Sequence, residues 1–288
     1  MRRSNPVSVM TATFIGEIVA GKITLEALMA GLKRIGFDGV EMFLRELIGE
    51  AKSLGRVRSL LNNNDLKLSC VSVFCDFVST DAAVRKSAPE RLRAGIETAG
   101  EFGCTRVMLA GSMLKEGISP VEGRKMIADG IVTEAEFARQ AGVTVMVEDF
   151  GAAPTLICRA ADCLEIIALA GGSQRVKFTF DTGNFVFVGE DPVKNLAVLQ
   201  SVIHHVHVKA WRALAERQPG DSGEFGGYIG CPIGEGVVPN QRLVERIAAG
   251  GYDGWFSLEC GAVSDALTTA KRDYQWLTRW LKQPYRGG

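Results

Sequence analysis

Eight short apolar runs, each followed by a stretch with helical periodicity, recur along the whole of this 288-residue chain. The runs fall at 7–14, 39–43, 66–77, 106–110, 143–150, 175–181, 202–211 and 255–260. Their length and apolar, β-branched content suit strands buried on both faces. Helices are expected at 24–35, 46–63, 84–102, 120–141, 160–170, 192–200, 240–249 and 265–281. In the first of these, Leu25, Leu28, Leu32 and Ile35 share a face, and Gly36 suits the left-handed position that ends a helix. Asn62-Asn63-Asn64-Asp65 and Gly171-Gly172 act as stop signals. An eightfold strand–helix alternation is the pattern of an α/β protein closed into a (β/α)8 TIM barrel, for which about 250 residues is usual. An open doubly wound sheet is the alternative, disfavoured by the count of eight and by the absence of Gly-x-Gly-x-x-Gly. One domain over 1–288 is expected, with a long loop rich in Gly, Pro and acidic residues at about 213–239. Such length inside a compact domain usually signals function, and the part at 220–236 is a candidate lid.

Charge and composition exclude several classes. Lys plus Arg and Asp plus Glu both number 33, so no global field draws in nucleic acid or an anionic membrane. No apolar run approaches the roughly 18 residues of a membrane span, and no apolar segment follows the two N-terminal arginines as a signal peptide would need. Seven cysteines form no Cys-x-x-Cys pair, which fits reduced thiols and a cytoplasmic location. No phosphate-binding Gly-x-x-x-x-Gly-Lys-Ser/Thr loop is present, so nucleotide hydrolysis is not expected.

The run at 202–211 holds every histidine of the chain: His204, His205 and His207. Strand alternation puts His205, His207 and Lys209 on one face and His204, Val206 and Val208 on the other. In barrels of this kind, functional groups sit at the C-terminal strand ends, and here those ends carry Glu41, Glu148, Asp181, His207 and Glu259. A carboxylate is costly to bury unless paired, and several converging on one mouth repel one another. A divalent cation relieves both costs. Three carboxylates and one imidazole, with no thiolate, favour Mn²⁺, Mg²⁺ or Co²⁺ over Zn²⁺. The plainer alternative gives each carboxylate its own Lys or Arg partner.

Neighbouring residues fill in the site. Lys209 is expected to bind a substrate oxygen or phosphate, or simply to neutralise the acids. Glu41 has the parity to enter the mouth as a substrate contact, with an ion pair to a nearby Lys or Arg as the alternative. Phe43, Phe74 and Trp211 either wall a sugar pocket or belong to the core. His205 should lie one layer below the metal as a hydrogen-bonded core residue, and His204 should face the helices. Cys260 points outward and carries no chemistry.

Five motifs complete the pattern: Val147-Glu148-Asp149-Phe150-Gly151, Phe180-Asp181-Thr182-Gly183-Asn184, His205-Val206-His207-Val208-Lys209, Gly234-Glu235-Gly236 and Ser257-Leu258-Glu259. Together they resemble the xylose isomerase-like sugar isomerase/epimerase superfamily, over nearly the whole element order and most specifically from 148 to 259. The resemblance implies a divalent metal on Glu148, Asp181, His207 and Glu259. In the family's ketose 3-epimerases the two metal-binding glutamates also serve as the acid/base pair, here Glu148 and Glu259. One departure is Asn184, where many epimerases carry histidine and where inositol-ketone dehydratases and isomerases carry asparagine; Asn184 is accordingly a candidate substrate contact. Arg212 and Arg217 both fall near the position of an epimerase arginine.

The implied chemistry is removal of a proton beside a carbonyl, with the enediolate oxygen stabilised by the metal as Lewis acid. Carboxylates on opposite faces can take one proton and return another. The expected function is a metal-dependent isomerase or epimerase of a small sugar or polyol ketone. The alternative is a dehydratase of the inosose or dehydroshikimate type. More distant are an apurinic-site endonuclease, which needs several zinc ions and a basic groove, and a non-catalytic sugar-binding barrel. The resemblance also allows a homo-oligomer.

Overall fold

Strands with helices packed on their outer face must be apolar there, and the observed strands largely are. A computed structural model of the chain describes residues 5–49, 54–150, 156–214, 227–261 and 265–282. Its barrel strands are β1 (Val7–Met10), β2 (Gly39–Phe43), β3 (Lys67–Phe74), β4 (Arg106–Ala110), β5 (Thr144–Glu148), β6 (Val176–Asp181), β7 (Ile203–Val208) and, last in sequence, β10 (Phe256–Leu258). All pair in parallel and close in the order β1-β10-β7-β6-β5-β4-β3-β2. The (β/α)8 TIM barrel expected from the alternation is the fold observed.

The helices begin where the sequence supplies caps. Thr24 accepts from the Ala27 N–H at the start of α2 (Leu25–Ile35). Asp81, Ser119, Asp191 and Asp265 do the same for α5 (Ala82–Glu101), α6 (Pro120–Gln140), α8 (Pro192–Leu199) and α10 (Ala266–Leu281). Helices α7 (Ala160–Leu169) and α9 (Asn240–Ala249) complete the outer ring. None of the described helices is long and apolar enough to cross a membrane.

Three expected elements differ. The first strand stops at Met10 and turns into a 3₁₀ segment (Thr11–Phe14) and the short α1 (Ile15–Val19). The Thr11 hydroxyl, bonded to the Glu46 carboxylate at 3.0 Å, anchors that turn. The helix expected at 46–63 starts two residues earlier and is described as α3 (Leu44–Gly49) and α4 (Leu54–Asn63), residues 50–53 lying outside the described residues. The strand expected to run to Trp211 ends at Val208; Trp211 instead opens β8 (Trp211–Ala213), which pairs antiparallel with β9 (Tyr228–Gly230). The long loop therefore begins and ends as a two-stranded arm. Residues 215–226, most of the candidate lid, lie outside the described residues.

Two cores hold the barrel. The larger fills the space between strands and helices, with Leu28, Leu32, Phe37, Leu92, Phe178, Phe180 and Phe256 fully enclosed. A smaller one, Cys70, Met108, Ala110 and Met146, lies inside the barrel beneath Phe43. The barrel interior is thus apolar on the β3–β5 side. Polar side chains fill the opposite side: Ser8, Ser257, Thr179, His205, His207 and Glu41, none with measurable exposure. That asymmetry locates the site. All seven cysteines are free and buried, and Cys260 belongs to the outer core, as expected.

The arm is fixed to the barrel at Gly236. Its φ is +82°, and a Cβ there would stand 2.1 Å from the Trp211 carbonyl oxygen, which accepts the next N–H, that of Val237, at 2.8 Å. Gly236→Ala should therefore lose at least about 1–2 kcal/mol to the left-handed backbone alone, with a further loss from the clash. A lowered urea midpoint with altered Trp fluorescence is the expected result.

Candidate metal centre

Two irregularities in strand register aim the key side chains. Between β2 and β3, Val40 faces Leu68 but Glu41 faces Cys70, so β3 carries one extra residue, Ser69. Between β6 and β7, Phe178 faces Ile203 but Thr179 faces His205, so β7 carries the extra residue His204. Such bulges re-aim side chains near functional sites. Here they place Glu41 and His205 inside the barrel and set His207 opposite Asp181. The carbonyl of His204 accepts from the Arg106 side chain at 3.1 Å, which satisfies the bulged backbone. The His204 ring is half-buried, and burial together with Arg106 pushes its pKa down to about 4.

Glu148, Asp181, His207 and Glu259 meet at the C-terminal ends of β5, β6, β7 and β10. One donor atom from each lies within 4.8 Å of all the others. Asp181 is held rigidly: its Oδ1 accepts the N–H groups of Gly183 at 2.7 Å and Asn184 at 3.1 Å. Its own N–H donates to Asp149 Oδ1 at 2.9 Å. The second oxygen, Oδ2, is buried and makes no hydrogen bond; the Lys209 ammonium stands 3.5 Å away. His207 Nδ1 lies 2.5 Å from Glu148 Oε1, and its Nε2 faces Glu41. Lys209 Nζ is 2.7 Å from Glu259 Oε1.

The electrostatics follow from burial and crowding. Burial, opposed by Lys209 and reinforced by Glu259 and Glu148, raises the Asp181 pKa to about 6. Burial, Asp181 and Glu148 push Asp149 well above the usual carboxyl range. For His207 burial works against the imidazolium, but Glu41 and Glu148 outweigh it and hold its pKa well above the ordinary value. Lys209 is buried too, and Asp181, Glu259 and Glu148 keep its ammonium charged. A buried carboxylate oxygen without a hydrogen bond, an imidazole nitrogen and two more carboxylates, all within 4.8 Å of one another, form a donor set that fits one divalent cation. The separate Lys or Arg partners of the plainer expectation are not what is found: one ammonium, Lys209, serves both Asp181 and Glu259.

The remaining expected residues fall around this cluster. Asn184 is buried with its carbonyl oxygen 3.5 Å from Lys209 Nζ. Trp211 packs edge-on to Phe187 and beneath Lys209, whose Nζ is 5.4 Å from the ring centroid. Gly183 leaves room for this: a Cβ there would stand 2.8 Å from the Trp211 indole nitrogen. Phe74 is 39% exposed on the other side of the mouth. It stacks on Phe43 with centroids 4.8 Å apart and Arg45 over both rings. Glu41 differs from expectation. Its carboxylate is enclosed inside the barrel and bonds to His205, His207 and Ser72, so it meets neither the mouth nor a Lys or Arg. His205 lies below the cluster, hydrogen-bonded to Glu41, as expected.

Three contributors carried no sequence signal strong enough to find them. Asp149 follows a ligand but has the wrong parity to join it; its role is to fix the next strand's backbone. Thr182 accepts the Lys209 N–H at 3.1 Å and donates to the Lys209 carbonyl at 3.2 Å. Asn240 ties that same carbonyl to the start of α9 at 2.8 Å. A second convergence, of Glu41, Cys70 and His205, reads as a hydrogen-bond network. Glu41 and His205 already bond each other at 2.8 Å, and burial and Glu41 hold the thiol protonated.

Comparison with known proteins places this geometry in context. Residues 29–283 match the family model described as xylose isomerase-like TIM barrel. The L-ribulose-5-phosphate 3-epimerase UlaE of Shigella flexneri is 28% identical over 262 residues, 83% of each chain. An inosose dehydratase of Lacticaseibacillus casei is 34% identical over 92 residues, 30% of each chain. Among solved structures, the IOLI protein with a binding zinc atom superposes with a TM-score of 0.80 at 15% identity, over 98% of this chain and all of its own. At that identity the superposition bears on the fold alone.

Lys209→Met should expose the repulsion that Lys209 relieves. The metal-free variant is expected to lose about 3 kcal/mol, as when one partner of a buried ion pair is removed. Added Mn²⁺ should raise its melting temperature more than it raises that of the wild type.

Proposed function

Because the chain belongs to the xylose isomerase-like TIM barrel family, we propose that it is a divalent-metal-dependent isomerase or epimerase of a small sugar or polyol ketone. The observation that carries this reading is the convergence of Glu148, Asp181, His207 and Glu259 within 4.8 Å at four strand ends. A single divalent ion on those residues would act as a Lewis acid toward the substrate carbonyl. Manganese, magnesium or cobalt suits the oxygen-rich donors best; the zinc in the IOLI protein keeps zinc among the metals to test.

The chain's own groups carry the proton chemistry. In the closed order β10-β7-β6-β5, Glu259 and Glu148 stand at the two ends, with His207 and Asp181 between them. In this reading they flank a ligand held between them. One carboxylate takes the proton beside the carbonyl and the other delivers a proton to the opposite face, a division of labour worth typically 10²–10⁴-fold. Lys209, held cationic, orients a substrate hydroxyl or phosphate oxygen and pairs with Glu259. Asn184 and Trp211 line the same side, and Phe74 on Phe43 forms the facing wall against the sugar's apolar edge.

A second reading is a dehydratase, favoured by Asn184 at the position where many epimerases carry histidine and by the inosose dehydratase relative. It shares the first proton abstraction. It then expels the β-hydroxyl as water, the proton returned by the carboxyl group that took it.

Elemental analysis should find about one divalent ion per chain, lost in Glu148→Gln and His207→Ala. Ketoses and inosose-type ketones incubated in D₂O should exchange the proton beside the carbonyl, and Glu259→Gln should slow this at least about 100-fold. Loss of water with appearance of a conjugated ketone would select the dehydratase reading. No metal uptake, even after reconstitution, would remove the proposal.

A further inference from the structure

Glu41 sits on β2, three strands from His207 in the closed order, yet the two side chains touch across the barrel interior. Its carboxylate has no exposure. Ser72 Oγ donates to it at 2.7 Å, and the His205 and His207 Nε2 atoms stand 2.8 and 2.9 Å away. A carboxylate so placed only accepts, so each imidazole must carry its proton on Nε2. Burial works against the charge on Glu41, but the two imidazoles and their hydrogen bonds hold its pKa well below the usual range.

A strand histidine is not bound to present one particular nitrogen. A half-turn of the ring swaps Nδ1 with Cδ2 and Nε2 with Cε1 and so changes which nitrogen faces a given point, and the hydrogen bond made by one decides which serves as a donor atom for metal. His207 has Nε2 occupied by Glu41, and Nδ1 is the atom 2.5 Å from Glu148 Oε1. We infer that Glu41 is a positioning residue: from across the barrel it fixes the His207 ring so that Nδ1 alone faces the divalent cation. Ser72 and His205 complete the device by occupying the other lone pairs of Glu41, so that the carboxylate cannot turn away. The strand irregularity between Val40 and Glu41 makes the reach geometrically feasible, because it sets Glu41 opposite Cys70 with Ser72 two residues further along β3. This role rests on the proposed metal centre. It departs from the expectation that Glu41 meets substrate, since an enclosed carboxylate with three bonded neighbours has no face toward the mouth.

Nitrogen-15 NMR of histidine-labelled protein tests it directly, because the chain has only three histidines. His204→Gln and His205→Gln assign the signals by subtraction. In the zinc-loaded wild type, His207 should show a metal-bound Nδ1 and a protonated, slowly exchanging Nε2. Glu41→Gln keeps the volume but puts an amide NH₂ among the donors. It should weaken zinc binding, measured against a competing chelator, by roughly 10–100-fold and broaden or move the His207 signals. Ser72→Ala, which removes a donor without touching His207, should weaken zinc binding far less. Zinc bound through Nε2 in the wild type would overturn the role even if Glu41→Gln failed to fold. So would a folded Glu41→Gln variant with unchanged zinc affinity and His207 signals, and in both cases the metal centre would stand. A wild type that takes up no zinc, Mn²⁺ or Co²⁺ would overturn the centre and this role together.

Discussion

Five carboxyl groups crowd one side of the barrel, four at its mouth and Glu41 beneath them, and the rest of the site is arranged around the cost of keeping them there. Glu41, Glu148, Asp149 and Asp181 are all at most 5% exposed, and the Glu259 side chain is 28% exposed. Facing them are one ammonium, Lys209, and two imidazoles. Removing even one unpaired charge from water costs several kcal/mol. The structure meets this cost in three ways. Glu41 is surrounded by donors, burial and its acidic neighbours push the Asp149 carboxyl well above the usual range, and Glu148, Asp181 and Glu259 are gathered with His207 where one divalent ion can serve them all. Lys209 makes up part of the remaining deficit, its ammonium 2.7 Å from Glu259 and 3.5 Å from Asp181.

The scaffold distributes these tasks by strand. The β3–β5 side of the interior is filled with Met108, Met146, Cys70 and Ala110, a packed and inert floor. The β6–β7–β10–β1–β2 side is polar, so the chemistry is confined to one half of the mouth. Above it, Thr182 and Asn240 pin the backbone of Lys209 from both sides. Gly183 gives room to the Trp211 ring beside Lys209, and Gly236 to the Trp211 backbone carbonyl. A side chain at either glycine would push against Trp211.

Much of this could be read from the chain itself. Carboxylates that end apolar strands, as Glu148, Asp181 and Glu259 do, are costly enough to stand out, and strand parity put His207 and Lys209 on one face. The barrel followed from counting. The position of Glu41 did not, because it depends on an extra residue in β3 and on a partner 166 residues away. No local pattern announces a one-residue slip in a parallel pair. Asp149 was hidden for a related reason: its parity is outward, and what it holds is the N–H of Asp181, a backbone group with no sequence signature. Trp211 looked like the end of a strand because Val-Lys-Ala-Trp continues the apolar run, whereas the arm's own pairing with β9 takes it out of the barrel.

Anomalous diffraction from a crystal grown with Mn²⁺ is the most direct test of the central assignment. Data at the manganese edge should show one strong peak at the mouth, within coordination distance of Glu148, Asp181, Glu259 and the Nδ1 atom of His207. A peak at another place, or a mouth without one while Lys209 remains paired with Asp181 and Glu259, would contradict it.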